Sequence, residues 1–207
     1  IKKESESKKN YNYNENYFCN YRNKKIKFND STFSLMMNNK NRSEELIIRR
    51  AQLSDLNDIM PVFACARRFM AQTGNPTQWA DGYPEPSFIA EEIASGHCYV
   101  FVDPLGKIVA TFCYIEGDDP TYHVIEGGKW LNEAPYAVLH RLASDGSYSG
   151  IADLCLDWCF TKTANLRVDT HQDNKVLQHI LLKHGFTYCG IIYVRNHSPR
   201  LAYQKIL

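Results

Sequence analysis

The stretch 136-YAVLHRLASDGSYSGIADLCLDWC-159 changes its period partway through. YAVLHRLA, residues 136–143, alternates and is apolar, which reads as a strand. Ile151, Leu154, Cys155, Trp158 and Cys159 then fall at i, i+3, i+4, i+7 and i+8, the single buried stripe of a helix running to about Lys162. Between strand and helix lie Gly146, Ser147, Ser149, Gly150 and Ala152, almost without side-chain bulk. The start of a helix leaves backbone N–H groups without partners and carries the positive end of the helix dipole. A loop of small residues lets a phosphate come close enough to accept from those groups, and Gly150 with Ala152 suits such a cradle. Asp145-Gly146-Ser147 is also ordinary turn chemistry, so by itself the loop reads either way. No G-x-x-x-x-G-K-[ST] and no G-x-G-x-x-G occurs, which argues against a nucleoside-triphosphate loop and a dinucleotide fold.

Working outward, LIIRRA (46–51) reads as a short strand. Ser54 is the expected N-cap, with Asp55 in the first turn, of a long amphipathic helix to about Gln72 that Pro61 should kink or divide. The segment GNPTQWADGYPEP (74–86) is a loop, and Ser87 is expected to cap the helix FIAEEIAS, which Gly96 ends. HCYVFV and KIVATFCYI are strands joined by a hairpin at Asp103-Pro104-Leu105-Gly106. After the long polar stretch 117–135 and the region already described, NLRVDT (165–170) is a strand. HQDN then leads into a helix carrying Val176, Leu177, Ile180 and Leu181, with Gly185 at its end and Phe186 packing back. TYCGIIYV and RLAYQKI close the chain as strands. The order predicts an α+β fold: a mixed, mostly antiparallel central sheet of about seven strands with helices on both faces.

Composition sets the outer bounds. The 207 residues suffice for one domain with a proper core, and a formal net charge of +1 gives no global field for nucleic acid. No apolar run reaches the roughly 18 residues of a membrane helix, and no signal-peptide pattern opens the sequence, so a cytoplasmic protein with no membrane partner is expected. The seven cysteines are odd in number and form no C-x-x-C pair, which fits reduced, buried thiols. Cys155 and Cys159 share a helix face but have no further ligands in local sequence, so no metal is expected. Residues 1–44, rich in Asn, Lys and Tyr without a period, read as a disordered or loosely attached extension, and 45–207 as the folded domain.

The folded part resembles the Gcn5-related N-acetyltransferases (GNAT superfamily), whose pyrophosphate loop reads Gln/Arg-x-x-Gly-x-Gly/Ala between the fourth strand and the next helix. SYSGIA (147–152) keeps Gly150 and Ala152 but has Ser147 where the family prefers Gln or Arg. A second family feature, an Asn followed eleven residues later by Gly-Phe, is met by Asn174, Gly185 and Phe186. CGIIYV (189–194) looks like the family's sixth strand. The resemblance implies a split between the fourth and fifth strands that holds acetyl-CoA as co-substrate. Arg141, Leu142 and Ala143 would then meet the pantetheine arm through their backbone, with an amide near Leu142 steadying the oxyanion. The segment Ser147, Tyr148, Ser149, Gly150, Ile151 and Ala152 would meet the pyrophosphate, and Asn174 the cofactor arm. Asp145 is a difficulty, because its charge repels phosphate unless it points away.

An amine with a pKa near 10 must lose a proton before it attacks a thioester at neutral pH. His140 on the fourth strand is one candidate base, although a His alternating with Val138 and Leu142 also reads as a core residue. Asp169 and His171 at the end of the fifth strand are others. Many family members carry a Tyr seven residues after the motif Asn, thought to protonate the leaving thiolate; here that position is Leu181. Tyr193 and Tyr188 are the substitutes considered, and a thiolate also leaves without an acid. Substrate contacts are expected from Gln78, Trp79 and Tyr83 in one loop and Tyr122 in another, where aromatics near acids suit a cationic amine. The acceptor expected is a small-molecule or peptide amine, and a homodimer is compatible with the sequence. The alternatives are a non-catalytic acyl-CoA-binding sensor and an interaction domain sharing only the fold.

Overall fold

The structure is a computed structural model that describes residues 46–207; the expected extension at residues 1–44 lies outside the described residues. In chain order the elements are β1 (Ile47–Arg50), α1 (Leu56–Gln72), α2 (Pro86–Ala94), β2 (Cys98–Val102), β3 (Ile108–Glu116), β4 (Ala137–Ser144), α3 (Ile151–Phe160), β5 (Asn165–Thr170), α4 (Lys175–Lys183), β6 (Thr187–Tyr193) and β7 (Pro199–Ile206). The strands form one seven-stranded sheet in the order β1-β2-β3-β4-β5-β7-β6. Every neighbouring pair is antiparallel except β4 with β5. The expected mixed sheet is therefore observed.

Strand alternation divides the core between the two faces. Phe112, Leu139, Leu166 and Val168 pack with Ile151, Cys155 and Leu156 of α3 and Leu181 of α4. Val100, Cys113 and Ala143 face the other way, against Ile59, Val62 and Phe63 of α1 and Ile89 of α2. Among the described residues the cysteines are free, and all but Cys65 are buried, including Cys155 and Cys159.

Three local expectations change. Ser54 is not an N-cap: Leu53–Asp55 forms a 3-10 turn ahead of α1. There Asp55 is the acceptor, taking the Gln52 N–H at 2.7 Å and both ends of the Arg49 guanidinium at 2.6 and 2.9 Å. A carboxylate fixed by a strand arginine is a stronger anchor than a serine hydroxyl, and the Arg49 bond holds the Asp55 carboxyl below its ordinary range. Pro61 does not divide α1, which runs unbroken for 17 residues. The proline removes one backbone bond, while Ile59, Val62, Phe63, Ala66 and Met70 keep the helix seated in the core. Ser87 does not cap α2 either, because Pro86 opens that helix after an extended Glu85.

The polar stretch after β3 is packed down rather than free. Tyr122 and Trp130 are 1 % and 7 % exposed and stack with their ring centroids 5.4 Å apart. Together with Val138, Cys189, Ile192 and Ala202 they build a third core on the α1/α2 face of the sheet.

Candidate functional site

The parallel pairing of β4 and β5 is short. It runs from Ala137 opposite Leu166 to Leu139 opposite Val168 and then stops, although β4 continues to Ser144 and β5 to Thr170. The departure has a local cause. Ala143 lies opposite Thr111 and His140 opposite Cys113, so β4 holds one residue more than β3 across this step. That extra residue is accommodated at Arg141, whose φ is +55. A non-glycine residue in this region costs about 1–2 kcal/mol, and the Arg141 side chain has contacts to hold it there. Its Nε donates to the Tyr83 hydroxyl at 2.9 Å, its Nη1 lies 3.4 Å from Glu92 Oε1, and the guanidinium sits 4.4 Å from the Phe88 ring centroid.

Where the strands part there is a cleft of about 1040 Å³. His140, Arg141, Leu142, Ala143 and Ser144 all line it, so this edge of β4 faces the cleft instead of β5. Asp145, Gly146, Tyr148, Ile151 and Ala152 line its α3 end, whereas Ser147, Ser149 and Gly150 are exposed and outside the lining. The Asp145 carboxylate fixes this turn, accepting from the Ser147 hydroxyl and, at 2.9 Å, from the Ser147 N–H. The Ser147 amide is therefore already used. Asp145 also pairs with Lys107 Nζ at 2.5 Å, so its charge is neutralised locally. The amides at the head of α3 are left for a ligand, since Leu154 is the first to bond back, to Gly150 O. Gly150 has a φ of +74, and a Cβ built there would meet only Asp153 Oδ2, at 3.9 Å.

At the other end of the cleft is a charged group that the sequence revealed only in part. His140 lies between two carboxylates: its Nε2 is 3.0 Å from Asp119 Oδ2 and its Nδ1 is 3.4 Å from Asp169 Oδ1. Tyr122, expected to contact substrate, instead donates its hydroxyl to Asp169 Oδ1 at 2.7 Å, and its ring meets His140 edge-on. Arg200 Nε stands 3.9 Å from Asp169 Oδ2. Burial alone would lower the His140 pKa, but the bonds to Asp119 and Asp169 outweigh it and raise it to about 9. Burial opposes ionisation of Asp119 too, yet His140 and Thr121 hold its pKa below the ordinary carboxylate value. The two carboxylates thus favour the imidazolium form of His140.

The remaining candidates separate. Gln78, Trp79, Tyr83, Asp169 and Asn174 line the cleft. Gln78 Oε1 accepts from Asn75 at 2.7 Å and from Asn174 Nδ2 at 3.1 Å, tying the α1–α2 loop to the start of α4. Asn174 caps α4 as well, accepting the Leu177 N–H at 3.1 Å. Trp79 packs edge-on against Phe63. His171 is not in the lining; its Nδ1 accepts from the Asp173 N–H at 3.2 Å, and burial lowers its pKa. Tyr193 is also outside the cleft and donates to Glu126 at 2.9 Å, and Tyr188 is 45 % exposed. Leu181 is fully buried on the inner face of α4. Sequence reasoning missed Asp119; the pair Asp118-Asp119 before a Pro was the available signal, but it was part of the long polar stretch 117–135. Among the described residues no cluster of His, Cys, Asp or Glu is arranged to hold a metal ion, and no helix is long and apolar enough to cross a membrane.

A GNAT-family acetyltransferase from Streptococcus agalactiae is 34% identical with a TM-score of 0.71, the match covering 78% of this chain and 95% of that one. A GNAT-family acetyltransferase from Listeria monocytogenes shares the fold at 20% identity and a TM-score of 0.59, covering 78% of this chain and 95% of its own. An agmatine N-acetyltransferase does so at 13% identity and a TM-score of 0.55, covering 79% and 100%. No family model matches the sequence, and no curated protein matches it. The extent of the first likeness decides the class: the chain belongs to the GNAT family of acetyltransferases.

Proposed function

We propose that the protein is an N-acetyltransferase that moves the acetyl group of acetyl-CoA to a primary amine of a small molecule or peptide. The observation that carries this reading is the cleft itself. One cavity joins the open edge of β4, the unpartnered amides that begin α3, and the Asp119–His140–Asp169 group. The residues fit the co-substrate: a Cβ at Gly150 would meet little, and Asp145 is neutralised by Lys107. Acetyl-CoA, when bound, supplies the acetyl group as an activated thioester.

The chain's own residues would do the rest. Amides of Ile151 and Ala152 would receive the diphosphate at the positive end of the α3 dipole. The backbone of β4 from Arg141 to Ala143 would hold the pantetheine arm, and an amide near Leu142 would steady the oxyanion. Overall the amine C–N bond forms, the thioester C–S bond breaks, and an ammonium acceptor yields an amide, a thiol and one released proton. Both His140 nitrogens are committed to carboxylates, so the group meeting the ammonium would be Asp119 or Asp169. Neutral His140 would then take the proton through that carboxylate, making transfer faster as pH rises toward 9.

The test is thiol release from acetyl-CoA with a panel of primary amines. Amine-dependent release supports the reading. Tight acetyl-CoA binding with no release for any amine would replace it with the non-catalytic sensor.

A further inference from the structure

Strand alternation puts His140, Asp169 and Arg200 on the face of the sheet opposite α3 and α4, with Tyr122 packed among them. Residues of the α1–α2 loop and of the β6–β7 turn line the cleft. The charges on this side can be paired off. Arg141 is matched by Glu92, and His140 by Asp119 and Asp169, with Arg200 beside Asp169. Three charged groups of the lining remain; one of them, Arg68 on α1, donates only to Cys65 Sγ, at 2.9 Å. Arg195, in the β6–β7 turn, has no hydrogen bond or ion pair among the described residues; neither has Asp81, on the opposing loop. The turn is firmly shaped, with Val194 N–H donating to Ser198 O at 3.2 Å and His197 N–H to Val194 O at 2.7 Å. Arg200 follows it and lines the same cleft, its Nη1 spent on Ser198 Oγ and Pro199 O, leaving Nη2 as a second donor.

We propose that the acceptor amine also carries a carboxylate, as a free amino acid does, and that Arg195, seconded by Arg200, receives that carboxylate while the ammonium meets the Asp119–Asp169 pair. The inference rests on the acetyltransferase reading and narrows its substrate class. A guanidinium offers a carboxylate two parallel N–H donors. The same turn would repel a polyamine or other dication, for which Asp81 is the only unpaired carboxylate in the lining among the described residues.

The experiment compares L-amino acids, the amines made by removing their carboxylates, and agmatine, using thiol release with wild type and Arg195→Glu. Acetyl-CoA affinity by calorimetry serves as the folding control. In wild type, amino acids should be preferred in kcat/KM by tenfold or more. Arg195→Glu should raise their KM by at least tenfold with a smaller change in kcat, reverse the preference toward decarboxylated amines, and bind acetyl-CoA as wild type does. Equal use of amines with and without a carboxylate, or a preference for agmatine, would overturn the proposal and leave the acetyltransferase standing. Thiol release with none of them would overturn both.

Discussion

The passage 117–135 and the loop 145–150 look alike as sequence, both short of apolar pattern and rich in Gly and Asp, yet one is welded to the sheet and the other is held open. The first is fastened by buried polar side chains from distant strands. Gln204 accepts the Leu131 N–H at 2.7 Å and donates to Asn165 at 2.7 Å; Asn165 donates to Asn132 at 3.0 Å. Arg167 donates to Asn132 O at 3.0 Å, its guanidinium 4.1 Å from the Trp130 ring centroid and 3.8 Å from that of Tyr136. The second loop is fastened at its start, where the Asp145 N–H donates to Val109 O at 2.9 Å and the Asp145 carboxylate takes the Ser147 N–H and pairs with Lys107. Buried polar groups must find partners, so a loop whose polar groups are met by the sheet becomes core, and one that leaves helix amides unmet is available to a ligand.

A glycine from each region gives the largest contrast. A Cβ at Gly128 would lie 2.0 Å from Cys189 O, a backbone atom that cannot step aside. Gly128→Ala should cost roughly 2–4 kcal/mol, seen as a fall in melting temperature on the order of 10 °C, with weaker packing of Trp130 visible in its fluorescence. At Gly150 the space is open, so Gly150→Val should cost only about 1–2 kcal/mol for its positive φ while weakening acetyl-CoA binding at least tenfold by calorimetry. A stable Gly128→Ala, or a Gly150→Val that binds as wild type does, would erase the distinction.

A smaller effect sharpens the account of the acidic end. His140 has its pKa raised to about 9 by two carboxylates. Its contribution to stability is therefore full below about pH 6.5 and is lost as pH rises through about 9. Removing one anion disfavours the imidazolium, so Asp119→Asn should move the alkaline inflection of kcat/KM to lower pH and flatten the decline of melting temperature across the same window. A pH–rate profile that keeps its inflection would remove Asp119 from the proton path.

Much of the frame was legible because it is written in local periods. The strand before 145, the helix after 150 and the Asn174 to Gly185-Phe186 spacing each announce themselves within one element. What escaped was written in long-range partners. Asp119 becomes significant only when β4 carries His140 to it, 21 positions along the chain. Tyr122 looked like a substrate contact until its hydroxyl found Asp169, 47 positions away. The bulge at Arg141 left no mark on the alternation of YAVLHRLA, yet it is what turns β4 from β5 and opens the cleft.

Hydrogen exchange with and without acetyl-CoA measures the central contrast directly. The account predicts that added acetyl-CoA slows exchange in peptides covering 140–153 and leaves those covering 117–135, already protected, unchanged. Exchange at 140–153 that ignores the ligand, with protection arising elsewhere, would contradict it.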